Sequence, residues 1–257
     1  MIAVVTAEEA QARRKPLMVP GFTDNAGEGS YYITRILGAL TDNVNPADPA
    51  PEEAKSQPQA YHIEQPPQAT VRPHYHDTNQ FQVFLKGRAV FGAEPVVALS
   101  VHYASAHTPY GPIVTENVGS HYVTLRNRWD SGGKTMPESR ATLRSIPRRF
   151  RMAEDIPVPD GATLAPGQAR RQDALECEAD GLGIAVFALG PGAGSDLALA
   201  IAGAGRFALV LAGSVDVAGE HLEAHGCLYI GAVDAPHVIA ASDGASVLVT
   251  QFPPEPD

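Results

Sequence analysis

Two histidines stand two residues apart in His74-Tyr75-His76, and Gln80 follows just before an apolar run, Phe81–Leu85. On a strand, successive side chains alternate faces, so His74 and His76 project to the same side, close enough to hold one ion. Neutral imidazole is the commonest ligand for first-row transition metals, and two such ligands on one rigid strand lose little entropy on binding. A His-x-His pair on its own is more often a pair of surface or hydrogen-bonded histidines. Gln80 has the same parity, although Asp77-Thr78-Asn79 predicts an intervening turn. A third protein ligand would have to come from elsewhere: His107 and His102 are the nearest candidates, with Tyr110 as an oxygen donor. Such a neutral set with open positions suits a redox metal that binds substrate directly, or a degenerate site that holds metal only at high concentration.

The elements that must position these residues read as strands. Short runs rich in Val, Ile, Tyr, Phe and Leu recur at Tyr31–Leu37, Phe81–Leu85, Ala89–Phe91, His121–Leu125, Ile184–Leu189, Phe207–Leu211 and Ser246–Phe252, separated by turn signals. The 24 Gly and 22 Pro of the 257 residues fit a chain of many turns. Ala7–Arg14 is the best helical candidate. The segment from Trp129 to about Gly167, dominated by Pro, Gly, Ser and charged residues, reads as an inter-domain connection.

An internal repeat organises these strands. At a constant offset of 126 residues, Phe81 matches Phe207, Leu85 matches Leu211 and Gly87 matches Gly213. Tyr103 and Tyr229, Ala106 and Ala232, and Thr124 and Thr250 keep the same register. Two related halves follow.

The run His74-x-His76-x3-Gln80-x6-Gly87 resembles the first cupin motif, G-x5-H-x-H-x3,4-E-x6-G, with Gln where the family has Glu and Gln68 where it has the leading Gly. The second motif, G-x5-P-x-G-x2-H-x3-N, is met by Pro109 and Gly111, but its histidine position falls on Val114. The resemblance implies an all-β chain with two cupin-type jelly-roll barrels. The expected division is 1–130 for an N-terminal cupin domain with its N-terminal arm, 131–168 for a linker, and 169–257 for a C-terminal cupin domain. It further implies a divalent transition metal, Fe, Mn, Ni or Zn, on His74, His76 and Gln80, with His107, which lies outside the motif, as the candidate third histidine. In the second half, Ala200 and Ala202 replace the histidines and Arg206 the acidic residue, leaving Ala235-Pro236-His237-Val238 as a remnant without metal. Strand parity places Gln82 and Phe84 beside Gln80, lining the cavity, with Phe81, Val83 and Leu85 packed outside. Tyr110 also belongs to the expected substrate site. Arg126 and Arg128, at a strand end, could clamp a carboxylate at the barrel mouth. His62, His121, His221 and His225 read as surface or strand-edge residues.

Three functions are compatible with this pattern. The first is a metal-dependent oxygenase or isomerase acting on a small organic molecule. The second is a binding or sensing module without chemistry, and the third a purely structural protein. The formal charge of −10 argues against a nucleic-acid partner, and the basic cluster Arg140, Arg144, Arg148, Arg149 and Arg151 reads as a solvated segment. No G-x-S-x-G or phosphate-loop motif occurs, and Gly190–Gly194 reads as a turn. No run approaches the ~20 apolar residues of a membrane helix. With only Cys177 and Cys227, no disulfide framework is indicated. The expectation is a cytoplasmic homodimer that binds a small molecule and no membrane.

Overall fold

The computed structural model describes residues 1–17, 23–25 (backbone only), 30–38 and 56–255. Residues 18–22, 26–29 and 39–55 of the expected N-terminal domain, and 256–257 of the C-terminal one, lie outside the described residues. The chain is all-β and forms two compact units, Arg13–Ile156 with Glu255–Asp257, and Pro157–Pro254 with Met1–Ala12.

In the first unit the strands Phe150–Ala153, Val101–Ala104, Gln80–Phe91, Ile113–Arg126, Gln59–Gln65, Tyr31–Leu37 and Arg14–Leu17 follow one another across one sheet. In the second, the order is Ile2–Val5, Cys227–Gly231, Gly205–Val217, Val238–Gln251, Gly183–Leu189 and Ala169–Leu175. The repeat is visible as register. Phe81 lies opposite Tyr103 on one side and Leu125 on the other. Phe207 lies opposite Tyr229 and Thr250. The offset of 126 therefore holds for the first two strands and becomes 125 in the third, so Thr250 is the counterpart of Leu125 and not of Thr124. Register shifts interrupt that strand pair in both units, between Thr115 and Ser120 and between Gly213 and Val215, where strand length can change by one residue. An ungapped alignment cannot see such a change.

The matched glycines have a steric cause. Gly87 (φ 82°) and Gly213 (φ 68°) lie in the left-handed region, and a Cβ on either would come within 1.8 and 2.0 Å of the carbonyl oxygens of Gly119 and Gly244.

Two expectations on domain limits are corrected. The N-terminal arm belongs to the second unit: Ile2–Val5 pairs antiparallel with Cys227–Gly231, placing Val5 opposite Cys227. The helix Ala7–Gln11 follows it, closed by a capping box between Thr6 and Glu9. Its four apolar residues supply an edge strand, and nearness in sequence does not decide which sheet receives one. Nor is 131–168 a plain linker. Lys134–Thr135 pairs with His74–Tyr75, and Phe150–Ala153 with Val101–Ala104, so the first unit runs to Ile156.

The two barrels are filled differently. Ala208 faces Leu228 and Val249 inside a wholly apolar cluster of the second unit. Its counterpart Gln82 faces His102 and Thr124, all buried. Polar side chains line one face of the first barrel where the second is apolar, and burial is tolerable for such groups where they bond one another, as Gln82 and His102 do.

Candidate functional site

His74 is anchored on both sides of its strand, exchanging backbone hydrogen bonds with Tyr110 and pairing with Thr135. His74 and His76 point the same way, their rings perpendicular at 5.2 Å. Tyr110 packs against both, at 4.4 Å from His74 and 6.3 Å from His76, and lies 5.0 Å from His102. The amide nitrogen of Gln80 donates to the Tyr110 hydroxyl. The structure thus brings together His74, His76, Gln80 and Tyr110, with Gln82 one step further, its amide oxygen accepting from Nδ1 of His102 at 3.0 Å.

Arg126 is buried in this group, only 2% exposed, and does not stand at a barrel mouth. Its donors go to Gln80 Oε1 (3.0 and 3.2 Å), Gln59 Oε1 (3.0 Å) and the Tyr61 hydroxyl (2.8 Å). Its Nη2 is 3.0 and 3.1 Å from the two ring nitrogens of His76. An atom equidistant from both nitrogens lies over the ring face, since an in-plane approach would strike the carbon between them. The guanidinium therefore stacks on His76 rather than capping its lone pair. Asp130 supplies the countercharge: its Oδ1 lies 3.6 Å from Arg126 Nη1 and accepts from His76 Nδ1 at 2.7 Å. Its carboxylate also accepts from the backbone of Asp77 and Gly132. Burial alone would raise the Asp130 carboxyl, but His76 and Arg126 outweigh it and hold it well below the usual carboxylate range.

The imidazoles are all held neutral. Burial and then the Arg126 charge push His76 down to about 4 against the pull of Asp130. Burial, with His76 adding to it, pushes His74 well below its ordinary value. Burial alone takes His102 down to about 3. Burial likewise holds the Tyr110 hydroxyl protonated, well above its ordinary range. Nδ1 of His74 donates to the carbonyl of Arg72 at 2.7 Å, which makes Nε2 its acceptor nitrogen. Nδ1 of His102 donates to Gln82, so its Nε2 also carries a lone pair. That atom is buried and has no hydrogen-bond partner among the described residues. Phe91 (4.3 Å) and Phe150 (4.6 Å) pack on the His102 ring, and Phe150 is itself 42% exposed.

The other expected residues lie elsewhere. His107 does not join His74 and His76. At φ 56° its ring lies 5.4 Å from Tyr75, which points the opposite way along the strand, and its Nε2 is 3.7 Å from the Asp77 carboxylate. Phe84 borders the site through the apolar cluster it shares with Tyr110, packing against Tyr122 (5.3 Å) and against Phe91 (6.2 Å), the ring that lies on His102 and Tyr110. Arg128 reaches the Asp77 carbonyl. In the second barrel Arg206 and Gln251 face each other where the first has Gln80 and Arg126, and His237 is exposed. The residues that sequence reasoning missed, Asp130, Gln59 and Tyr61, carry no local motif: strand pairing brings in Gln59 and Tyr61, and Asp130 follows from the segment just past Arg126.

These side chains do not fit the divalent cation that the histidine pattern implies. Among the described residues, no group of three or more His, Cys, Asp or Glu side chains is placed to hold a metal ion. The converging donors are two imidazoles, an amide and a protonated phenol, with no carboxylate. A full positive charge already contacts two of them, and Gln80 Oε1 accepts twice from it.

No family model matches the sequence, and no curated protein matches it. Solved structures do. A candidate dioxygenase from Nostoc punctiforme superposes with a TM-score of 0.62 at 14% identity, over 97% of this chain and 81% of its own. The pirin YhhW from Escherichia coli, in complex with nickel(II), gives 0.54 at 15%, over 99% and 100%. Vicilin from hazelnut, Corylus avellana, gives 0.51 at 13%, over 97% and 85%. With the same pairing and the same glycine turn in both of its barrels, the chain has the cupin fold in two copies.

Proposed function

We propose that the first barrel is a metal-independent binding site for a small neutral molecule bearing a hydroxyl or N–H group. The observation that carries this reading is the His102 Nε2 atom, a buried acceptor without a partner among the described residues, in the position where the apolar barrel has Leu228. An unsatisfied buried acceptor costs about 1–3 kcal/mol, and a ligand donor removes that cost. The Tyr110 hydroxyl, which accepts from Gln80, keeps its own proton for a second contact. Arg126 is neutralised by Asp130, so the site favours an uncharged ligand. Phe150 covers His102 from the solvent side and is the residue such a ligand would displace.

Binding rather than proton transfer suits the electrostatics. A general base works best near neutral pH. Here His76 and His102 are held at about 4 and about 3, and Tyr110 far above neutrality. The solved neighbours, a candidate dioxygenase and a nickel-bound pirin among them, favour a cupin that handles small molecules but leave this chain's chemistry to its own residues.

The reading is tested with protein purified without added metal. Elemental analysis should find no stoichiometric transition metal. Saturation-transfer NMR with phenol as neutral probe and benzoate as charged control should show phenol contacts that His102→Leu abolishes. Stoichiometric iron, nickel or manganese in the wild type, or phenol contacts that survive His102→Leu, would overturn it.

A further inference from the structure

The site carries the supports of a metal centre and a guanidinium in place of the metal. His76 donates its outer nitrogen to a carboxylate and His74 donates its own to a carbonyl. Those are the second contacts that fix metal-binding imidazoles with Nε2 turned toward the ion. Yet the charge resting on His76 and Gln80 belongs to Arg126, which bonds Gln59, Tyr61 and Gln80 and is balanced by Asp130. The second barrel is an internal contrast. There an arginine and a glutamine also face each other, Arg206 and Gln251, but the arginine bonds the Asp196 carbonyl and the glutamine those of Gly181 and Ile201. Alanines stand at the histidine positions.

Resting on the metal-independent reading above, we propose that Arg126 is a built-in cation doing the organising work of a metal ion, and that removing its charge uncovers a divalent-metal site formed by His74, His76 and the side chain at position 80. Arg126→Gln discards the charge and ends about where Nε stood, beside position 80, short of the Gln59 and Tyr61 contacts that Nη1 and Nη2 make. Gln80→Glu restores an anionic oxygen, but one open to a metal only where Arg126 no longer claims it.

Cobalt(II) titration followed by visible absorption, with nickel(II) calorimetry as a second readout, tests the proposal on the full chain. Wild type and Gln80→Glu should bind weakly, the latter because its new carboxylate pairs with Arg126. The double variant Gln80→Glu, Arg126→Gln should bind at least about tenfold tighter, and adding His74→Ala or His76→Ala should cancel the gain. A folded double variant that titrates like wild type overturns the proposal. If the double variant folds only when nickel(II) is present during refolding, the proposal stands; if it fails to fold with or without the metal, the proposal falls. Wild-type protein carrying stoichiometric metal sinks both this inference and the metal-independent reading. An empty wild type with unresponsive variants sinks this inference alone.

Discussion

The carboxylate of Asp130 lies 2.7 Å from Nδ1 of His76 although 54 residues separate them in sequence. It accepts from that imidazole and from the backbone of Asp77 and Gly132, and it balances Arg126. Replacing it by alanine strands three donors and a buried charge. Asp130→Ala should therefore lower unfolding stability by about 3–5 kcal/mol, the range for breaking a buried ion pair. Asp130→Asn, which keeps the acceptor oxygen, should cost less. Urea midpoints of the two variants decide it, and an alanine variant as stable as the asparagine one would remove Asp130 from this role.

Stability should fall as pH drops from neutrality, and the sign follows from the histidines. His76 and His102 titrate in the native state at about 4 and about 3, below their ordinary value of 6.5. Below pH 6.5 the unfolded chain takes up protons that the native chain refuses. The stabilisation is complete above that pH and is lost on acidification until the native values are reached. Each imidazole contributes a slope of about 1.4 kcal/mol per pH unit in that window. Asp130, with its native value depressed, adds a further loss below the ordinary carboxylate range. Urea denaturation across this window should show the slope, reduced by one imidazole's share in His102→Leu. A flat profile from about pH 6.5 to about 4.5 would mean that the rings are solvated.

How much of this the sequence discloses depends on separation along the chain. Strand parity places His74 and His76 on one face, while Gln80 begins a new strand beyond a turn that parity does not bridge. The repeat is legible because Gly87 and Gly213 are held by the same close approach to a carbonyl. Arg126 is misjudged as a mouth residue because Gln59 and Tyr61 meet it only through cross-strand register, and Asp130, four residues on, stands in a stretch past the strand end that carries no motif. His107 looks like a ligand in sequence, but its left-handed backbone turns it toward Tyr75. The Ile2–Val5 strand carries no signal of its partner at all, since any exposed sheet edge could accept it.

The polar face of the first barrel can be rewritten from the second. Gln82→Ala with His102→Leu copies the Ala208–Leu228 pair, and removing both members of a buried hydrogen bond together is nearly neutral. The double variant should fold with stability at or above wild type and should no longer contact phenol. His102→Leu alone leaves the Gln82 amide unpaired and should be less stable than the double by about 1–3 kcal/mol. Thermal melts of the pair check the order, and a double variant weaker than the single would show that the face cannot take apolar packing.

Tyr110→Phe isolates the hydroxyl from the ring. The ring contacts with His74, His102 and Phe91 remain, while the Gln80 amide loses its acceptor. The expected loss is about 1–3 kcal/mol with the fold retained. Phenol contacts should weaken as well, because the hydroxyl proton offered to the ligand disappears. A variant with unchanged melting and unchanged contacts would place Tyr110 in the apolar core alone.

The strand Ile2–Val5 covers the outer edge of Cys227–Gly231, and Cys227 is buried opposite Val5, its thiol pushed up to about 12 by burial. A thiol in that state is inert. Deleting residues 2–12 uncovers the edge and removes the burial of Val5, itself worth about 1.5–3 kcal/mol. In a Cys177→Ser background, Cys227 should be silent toward Ellman's reagent in the full-length chain and should react in the truncated one. Fluorescence of Trp129, which lies in the other unit, should stay unchanged. If the truncation instead shifted Trp129 and left Cys227 silent, the arm would stabilise the first barrel, as its place in the sequence suggests, and the pairing with Cys227–Gly231 would have to be abandoned.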